Sequence, residues 1–100
     1  MSRLGPVFQR LRDEGRRAVI PYLVAGDPYE GLTVRLMHSL VEAGADVIEV
    51  GVPFSDPMSE GPTIQKGHER ALAGGTSLNS TLALIGEFRK TDPETPLILM

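Results

Sequence analysis

Hydrophobic positions along the chain follow two patterns, which predict that helices and strands alternate. Apolar residues three or four positions apart are typical of a helix that buries one face. Short runs of β-branched and other apolar residues, bounded by glycine and proline, are typical of buried strands. Together they predict, in chain order, helix Leu4–Leu11 ending near Gly15, strand Ala18–Ala25, helix Leu32–Val41, strand Asp46–Phe54, helix Pro62–Leu72, helix Leu78–Phe88 and strand Pro96–Met100.

Turn and helix-end residues lie where these segments meet. Gly26-Asp27-Pro28 ends the first strand, because these residue types favour turns. Gly44 is a C-terminal stop for the second helix. Pro62 suits the first turn of the third helix, where its missing N–H would have no partner. Gly74-Gly75 ends that helix, and the stretch "TDPETP" is predicted to be a loop.

Strands that alternate with helices indicate a parallel sheet with crossover connections. Parallel strands are normally covered on both faces or closed into a barrel, and three strands cannot close one. The third predicted strand begins where the sequence stops. We therefore expect residues 1–100 to be the N-terminal part of a single (β/α)₈ barrel domain, comprising the N-terminal helix and the first three strands with their intervening helices.

The composition argues against several classes of function but does not identify the function. The net charge is −3 and 23% of residues are charged, so nothing in the overall charge suggests nucleic acid or an anionic membrane as a partner. The chain has no cysteine, which excludes disulfides and thiolate chemistry. Its N-terminus is charged, without the apolar core of a signal peptide, and no apolar run approaches the ~18 residues of a membrane span. We expect a cytoplasmic protein.

An acid stands inside the most apolar predicted strand. Because side chains alternate along a strand, Ile48 and Val50 point to one side and Glu49 to the other, next to the small residue Gly51. An ionised carboxylate is costly to bury without partners, and such an acid suits proton transfer near neutral pH. Two interpretations are open: Glu49 does chemistry at the mouth of the barrel, or it is paired with a cation or reaches solvent from a frayed strand end.

The loop after this strand carries two more acids, Asp56 and Glu60, among three prolines that restrict its backbone. These acids are either site residues or solvated loop residues. His38 and His68 lie in predicted helices without metal-ligand spacing, and both are expected to be structural or solvated.

The chain resembles the tryptophan synthase alpha-subunit family. The stretches that carry the resemblance are "AGDP" at Ala25–Pro28, "EAGADVIEVGVPFSDP" at Glu42–Pro57 and the "GPTIQ" that follows, and the likeness extends over all 100 residues. It implies a (β/α)₈ lyase that cleaves indole-3-glycerol phosphate by a retro-aldol reaction into indole and glyceraldehyde 3-phosphate. It implies no metal or organic cofactor in this subunit. The implied assembly is an α₂β₂ complex whose beta subunit uses pyridoxal phosphate to join indole to serine.

The resemblance also assigns roles to individual residues. Glu49 matches the catalytic glutamate that shuttles protons, and Glu60 matches a second catalytic acid that engages the indole N–H. Tyr22, usually phenylalanine in the family, and Met100, commonly leucine, match apolar residues of the substrate pocket. The loop that communicates with the beta subunit is matched by Pro53, Phe54, Asp56 and Pro57.

One departure from the family pattern leaves an alternative function open. The family has aspartate where this chain has Glu60, so the carboxylate stands one methylene further from the backbone. A misplacement of about 1 Å can cost ~100-fold in rate. The alternative is a weakly active or inactive subunit that mainly binds and activates the beta subunit. Other phosphosugar barrel enzymes share the alternating pattern but lack the "PFSDP" loop.

Overall fold

The computed structural model describes residues 2–54 and 61–100. The helices are α1 Leu4–Glu14, α2 Glu30–Glu42, α3 Gly61–Ala73 and α4 Leu78–Arg89, and the strands are β1 Tyr22–Val24, β2 Ile48–Gly51 and β3 Leu97–Leu99. The predicted order of elements is confirmed.

The three strands form one parallel sheet in the order β1-β2-β3. Tyr22 lies opposite Glu49, which lies opposite Ile98 on the other side. The central strand therefore carries the acid that the sequence analysis singled out. This sheet with its helices has the architecture of the first part of a (β/α)₈ barrel.

The strands are shorter than predicted because prolines interrupt the hydrogen-bond ladder. Pro21 precedes β1 and Pro53 follows β2, and proline has no N–H to donate. Pairing still continues beyond the strand ends: Val52 N–H donates to the Met100 carbonyl at 2.9 Å, and Glu49 N–H donates to the Pro21 carbonyl at 2.9 Å.

Two hydrophobic clusters cover different parts of the sheet. The larger one joins one face of the strands to α2 and α4, with Met37 and Phe88 fully buried against Ile48 and Val50. The smaller one packs α1, through Val7 and Leu11, against Val47. The odd-numbered residues of β2 are thus free of the α2 and α4 layer, as the alternation predicted.

Local signals explain where the helices end. Gly15 adopts the left-handed conformation, with φ 64°, and its N–H caps α1 by donating to the Arg12 carbonyl at 3.1 Å. At the start of α4, Ser77 and Ser80 form a reciprocal capping box. The α2 helix ends at Glu42, two residues before the predicted stop at Gly44.

Candidate active site

Glu49 lies in the middle of the central strand, on the face turned away from α2 and α4. Its neighbours on that face are Val47, beneath α1, and Gly51, toward the carboxyl end of the strand. The Glu49 side chain is half-buried, and no described residue hydrogen-bonds to or ion-pairs with its carboxylate. Pairing with a cation from the described part of the chain does not account for its position.

Tyr22 lies beside Glu49 and reaches over the next residue of β2 on the same face. A Cβ atom built on Gly51 would overlap Tyr22 Oη and would lie 2.8 Å from Tyr22 Cζ. Only glycine leaves room for the hydroxyl at this position. The Tyr22 hydroxyl thus fills the space directly above Gly51, the small residue that the sequence places next to Glu49.

His68, from α3, joins this arrangement. Its side chain is buried, at 3% exposure. Its Nε2 lies 3.2 Å from Tyr22 Oη, and its Nδ1 accepts a hydrogen bond from the Phe54 N–H at 3.0 Å. His68 therefore ties β1, α3 and the segment after β2 together. The sequence analysis missed this role, although the helical spacing of Ile64, His68 and Ala71 places His68 on the buried side of α3.

A second contact holds α3 to the turn after β1. The guanidinium of Arg70 binds the Asp27 carboxylate through two hydrogen bonds, of 2.6 and 3.0 Å. This pairing raises the pKa of Arg70. A Cβ on Gly67 would come within 2.7 Å of Asp27 Oδ2, so the close approach of α3 depends on a residue without a side chain.

These contacts border a groove of about 250 Å³ that is lined by β1, α2 and α3, with Tyr22, Ile64 and Gly67 among its residues. Larger clefts, of about 530 and 610 Å³, lie around α1 and include Arg10. Tyr22 lines the first of these three spaces and neither of the others. Glu49 lines none of the three.

The other predicted site residues are distributed around this centre. Met100 continues β3 next to β2, through hydrogen bonds with Val50 and Val52, and its side chain is 59% exposed. Pro53 is buried, whereas Phe54 is 58% exposed. The remaining predicted residues, Asp56, Pro57 and Glu60, lie outside the described residues.

At the amino end of the same strand, Asp46 is buried among donors. It accepts hydrogen bonds from the Val19 N–H at 2.8 Å and from Arg16 at 3.2 Å, and Arg10 lies 3.5 Å away. Burial alone would raise the pKa of Asp46, but the Val19 N–H and the two guanidiniums outweigh it and hold the pKa below its ordinary value. Asp46 is therefore held by structural contacts, whereas the Glu49 carboxylate has no such partner among the described residues.

The described residues contain no group of three or more histidine, cysteine, aspartate or glutamate side chains arranged to hold a metal ion. Across 2–54 and 61–100, no helix is both long and apolar enough to cross a membrane.

Comparison with known proteins gives one consistent family. Residues 8–100 match the family model described as tryptophan synthase alpha chain. Over 100 residues the chain is 63% identical to the tryptophan synthase alpha chain of Dechloromonas aromatica and 60% identical to that of Methylococcus capsulatus. The matched region is the whole of this chain but only 37% and 38% of those two relatives. The chain therefore spans well under half of their length.

Solved structures agree with the sequence relatives. Tryptophan synthase subunit alpha from Legionella pneumophila superposes with a TM-score of 0.97 at 52% identity, covering 100% of this chain and 38% of that one. The chain also superposes on a tryptophan synthase from M. tuberculosis in its aminoacrylate-bound form, with a TM-score of 0.87 at 44% identity. This match covers 100% of this chain and 40% of that one. The barrel fold predicted from the alternating pattern is confirmed by these likenesses.

Proposed function

The chain belongs to the tryptophan synthase alpha chain family, and from that premise we propose that its protein cleaves indole-3-glycerol phosphate to indole and glyceraldehyde 3-phosphate. The reaction is a retro-aldol cleavage, which makes the protein a carbon–carbon lyase of L-tryptophan biosynthesis. The proposal places this activity in the cytoplasm. It requires no metal or organic cofactor from this subunit.

The observation that carries the proposal is the setting of Glu49. It is a half-buried carboxylate on a central strand, with no partner among the described residues. Tyr22 is its register partner on the neighbouring strand β1. A strand holds such a group more rigidly than a loop does, and general acid–base catalysis depends on fixed geometry. In TIM barrels, catalytic residues come from the carboxyl ends of strands, and Glu49 lies two residues before the end of β2.

In this mechanism Glu49 transfers the protons that make the indole ring a leaving group and release the aldehyde. Tyr22 and Met100 contribute to the indole side of the pocket, and Glu60 engages the indole N–H as a second acid. The sequence predicts a loop at Glu60, and we propose that backbone adjustment there compensates for the methylene that glutamate adds to aspartate.

The proposed partner is a tryptophan synthase beta subunit, in an α₂β₂ complex that uses pyridoxal phosphate on the beta side. The segment Pro53–Glu60 forms the contact on this chain, through Pro53, Phe54, Asp56 and Pro57. A buried Pro53 beside an exposed Phe54 supports this, because it anchors one residue and presents an aromatic ring at the next.

The direct test is to measure indole release by the full-length protein, alone and with a beta subunit. We expect indole without the partner and more indole with it. Stimulation of the beta subunit without any indole release would favour the alternative function, an inactive activating subunit, which the glutamate at position 60 permits. Absence of both effects would contradict the proposed function.

A further inference from the structure

Two hydrogen bonds that His68 makes with described residues together define which of its ring nitrogens carries the proton. Nδ1 accepts a hydrogen bond from the Phe54 N–H at 3.0 Å, and a backbone N–H can only donate. Nδ1 therefore carries no proton, and the ring proton is on Nε2. The 3.2 Å contact with Tyr22 is then a bond in which Nε2–H donates to the tyrosine oxygen.

The direction of this bond matters for the candidate site. Tyr22 Oη is held where it lies directly above Gly51, the next residue of β2 on the face of Glu49. The ring has little freedom to leave this place, because its tip is fixed by His68 and the backbone of Gly51 lies beneath it. The position of the Tyr22 hydroxyl is thus set by a residue 46 positions away in sequence.

The same imidazole holds the chain at Phe54, immediately before the segment 55–60. The helix that carries His68 is itself anchored by the Arg70–Asp27 pair and by the close approach of Gly67 to that carboxylate. His68 is therefore attached to a fixed helix and reaches two parts of the candidate site at once.

We propose that His68 is a positioning residue, which fixes the Tyr22 hydroxyl over Gly51 and the backbone at Phe54 in one arrangement. It touches neither reacting atoms nor substrate in this role, and it acts through Tyr22 on how the indole side is bound. The proposal rests on the proposed function where it concerns substrate binding. The bridge itself is a statement about structure alone.

Two substitutions of His68 separate its contact with Phe54 from its contact with Tyr22. The amide oxygen of asparagine can take the place of Nδ1, so His68→Asn keeps the acceptor for Phe54 and loses the donor to Tyr22. The amide nitrogen of glutamine can take the place of Nε2, so His68→Gln keeps the donor and loses the acceptor. Tyr22→Phe removes the hydroxyl from the other side of the bond. His38→Asn makes the same histidine-to-asparagine change at a histidine that is hydrogen-bonded to Thr91, and it is the control.

The experiment measures kcat and KM for indole release in the full-length protein with each variant and with Tyr22→Phe combined with His68→Asn. One lost hydrogen bond corresponds to about 1 kcal/mol, or roughly a fivefold change. We expect KM to rise about fivefold in His68→Asn, with kcat within twofold of wild type and no effect of His38→Asn. Combined with Tyr22→Phe, His68→Asn should raise KM no further, because the bond is already lost.

The proposal is overturned if KM in the double variant rises by the product of the factors seen in Tyr22→Phe and His68→Asn. It is also overturned if His68→Asn leaves KM unchanged. Nitrogen NMR of the labelled full-length protein tests the bridge without activity: Nδ1 should resonate as the unprotonated nitrogen, and a proton on Nδ1 would overturn it. If the wild-type protein releases no indole, the proposed function fails. The NMR result and the additivity of the same variants in thermal unfolding still decide whether the bridge exists.

Discussion

At the scale of single residues, the geometry of the candidate site depends on Gly51, which has no side chain, and on Tyr22, whose hydroxyl lies over it. Glu49 has no partner among the described residues, and Gly51 has no side chain, so that the Tyr22 hydroxyl occupies the volume of a missing Cβ. A rigid aromatic ring cannot yield as a flexible side chain would. The geometry around Glu49 is therefore sensitive to very small additions.

Gly51→Ala should displace the Tyr22 ring by roughly 1 Å, a misplacement that can cost up to ~100-fold in rate. We expect kcat/KM for indole release to fall at least tenfold. Tyr22→Phe in the same background should recover part of the loss, since it removes the atom that clashes most. Gly86→Ala, in a helix and with no atom within 4 Å of the new Cβ, is the matched control. Equal activity in Gly51→Ala and Gly86→Ala would show that the hydroxyl does not occupy this position.

At the scale of elements, we propose that β2 and the residue pair before it divide stability and chemistry between the two ends of the strand. Its amino end is preceded by Asp46, which is held by Val19, Arg16 and Arg10, and its middle carries Glu49. In barrels, residues at the amino face of the strands stabilise the fold and those at the carboxyl face do chemistry. Asp46 has three donors around it and Glu49 has no partner among the described residues, and this difference supports the separate roles that we propose for them.

Asp46→Asn should lower the free energy of unfolding of the full-length protein by about 1 kcal/mol at pH 7, a value reduced by the solvent exposure of Arg16 and Arg10. Because the folded-state pKa of Asp46 lies below its ordinary value, the charged form favours folding. Its contribution is complete above the unfolded-state pKa and is lost as pH falls through the folded-state pKa. Urea unfolding at pH 7 and pH 3 measures this, with Asp13→Asn on the exposed side of α1 as control. A difference between wild type and Asp46→Asn that grows toward acid pH would contradict the account.

Sequence patterns predicted the elements well and the contacts of the site poorly. The order of helices and strands follows from local spacing, and Glu49 stands out because a charged residue in an apolar strand is a local anomaly. Strand ends were overestimated, since the pattern does not show that Pro21 and Pro53 interrupt the ladder. His68 was missed as a site residue because its partners, Tyr22 and Phe54, are distant in sequence and only the fold brings them together.

At the scale of the whole molecule, the described sheet exposes apolar surface on its outer strands. On the β1 side Val19 and Ile20 are 52% and 41% exposed, and on the β3 side Leu99 and Met100 are 42% and 59% exposed. In a barrel these side chains and the unpaired strand edges would be covered by neighbouring strands.

Residues 1–100 expressed without the remainder of the barrel should therefore not unfold cooperatively. Two uncovered edges and the exposed apolar side chains favour association over a stable monomer. Thermal unfolding followed by near-UV circular dichroism, beside the full-length protein, measures this. A sharp transition in a monomeric fragment would contradict this prediction and would show that the fragment has a stable core of its own.

The central claim is that Glu49 performs the proton transfers, and Glu49→Gln in the full-length protein tests it most directly. Glutamine preserves the shape but cannot exchange protons in this way, whereas Glu42→Gln, at the exposed end of α2, changes charge alone and is the control. The measurement is kcat for indole release from indole-3-glycerol phosphate at saturating substrate. We expect kcat in Glu49→Gln to fall at least ~100-fold, with substrate binding little changed and Glu42→Gln indistinguishable from wild type. A kcat in Glu49→Gln close to that of wild type would contradict the account.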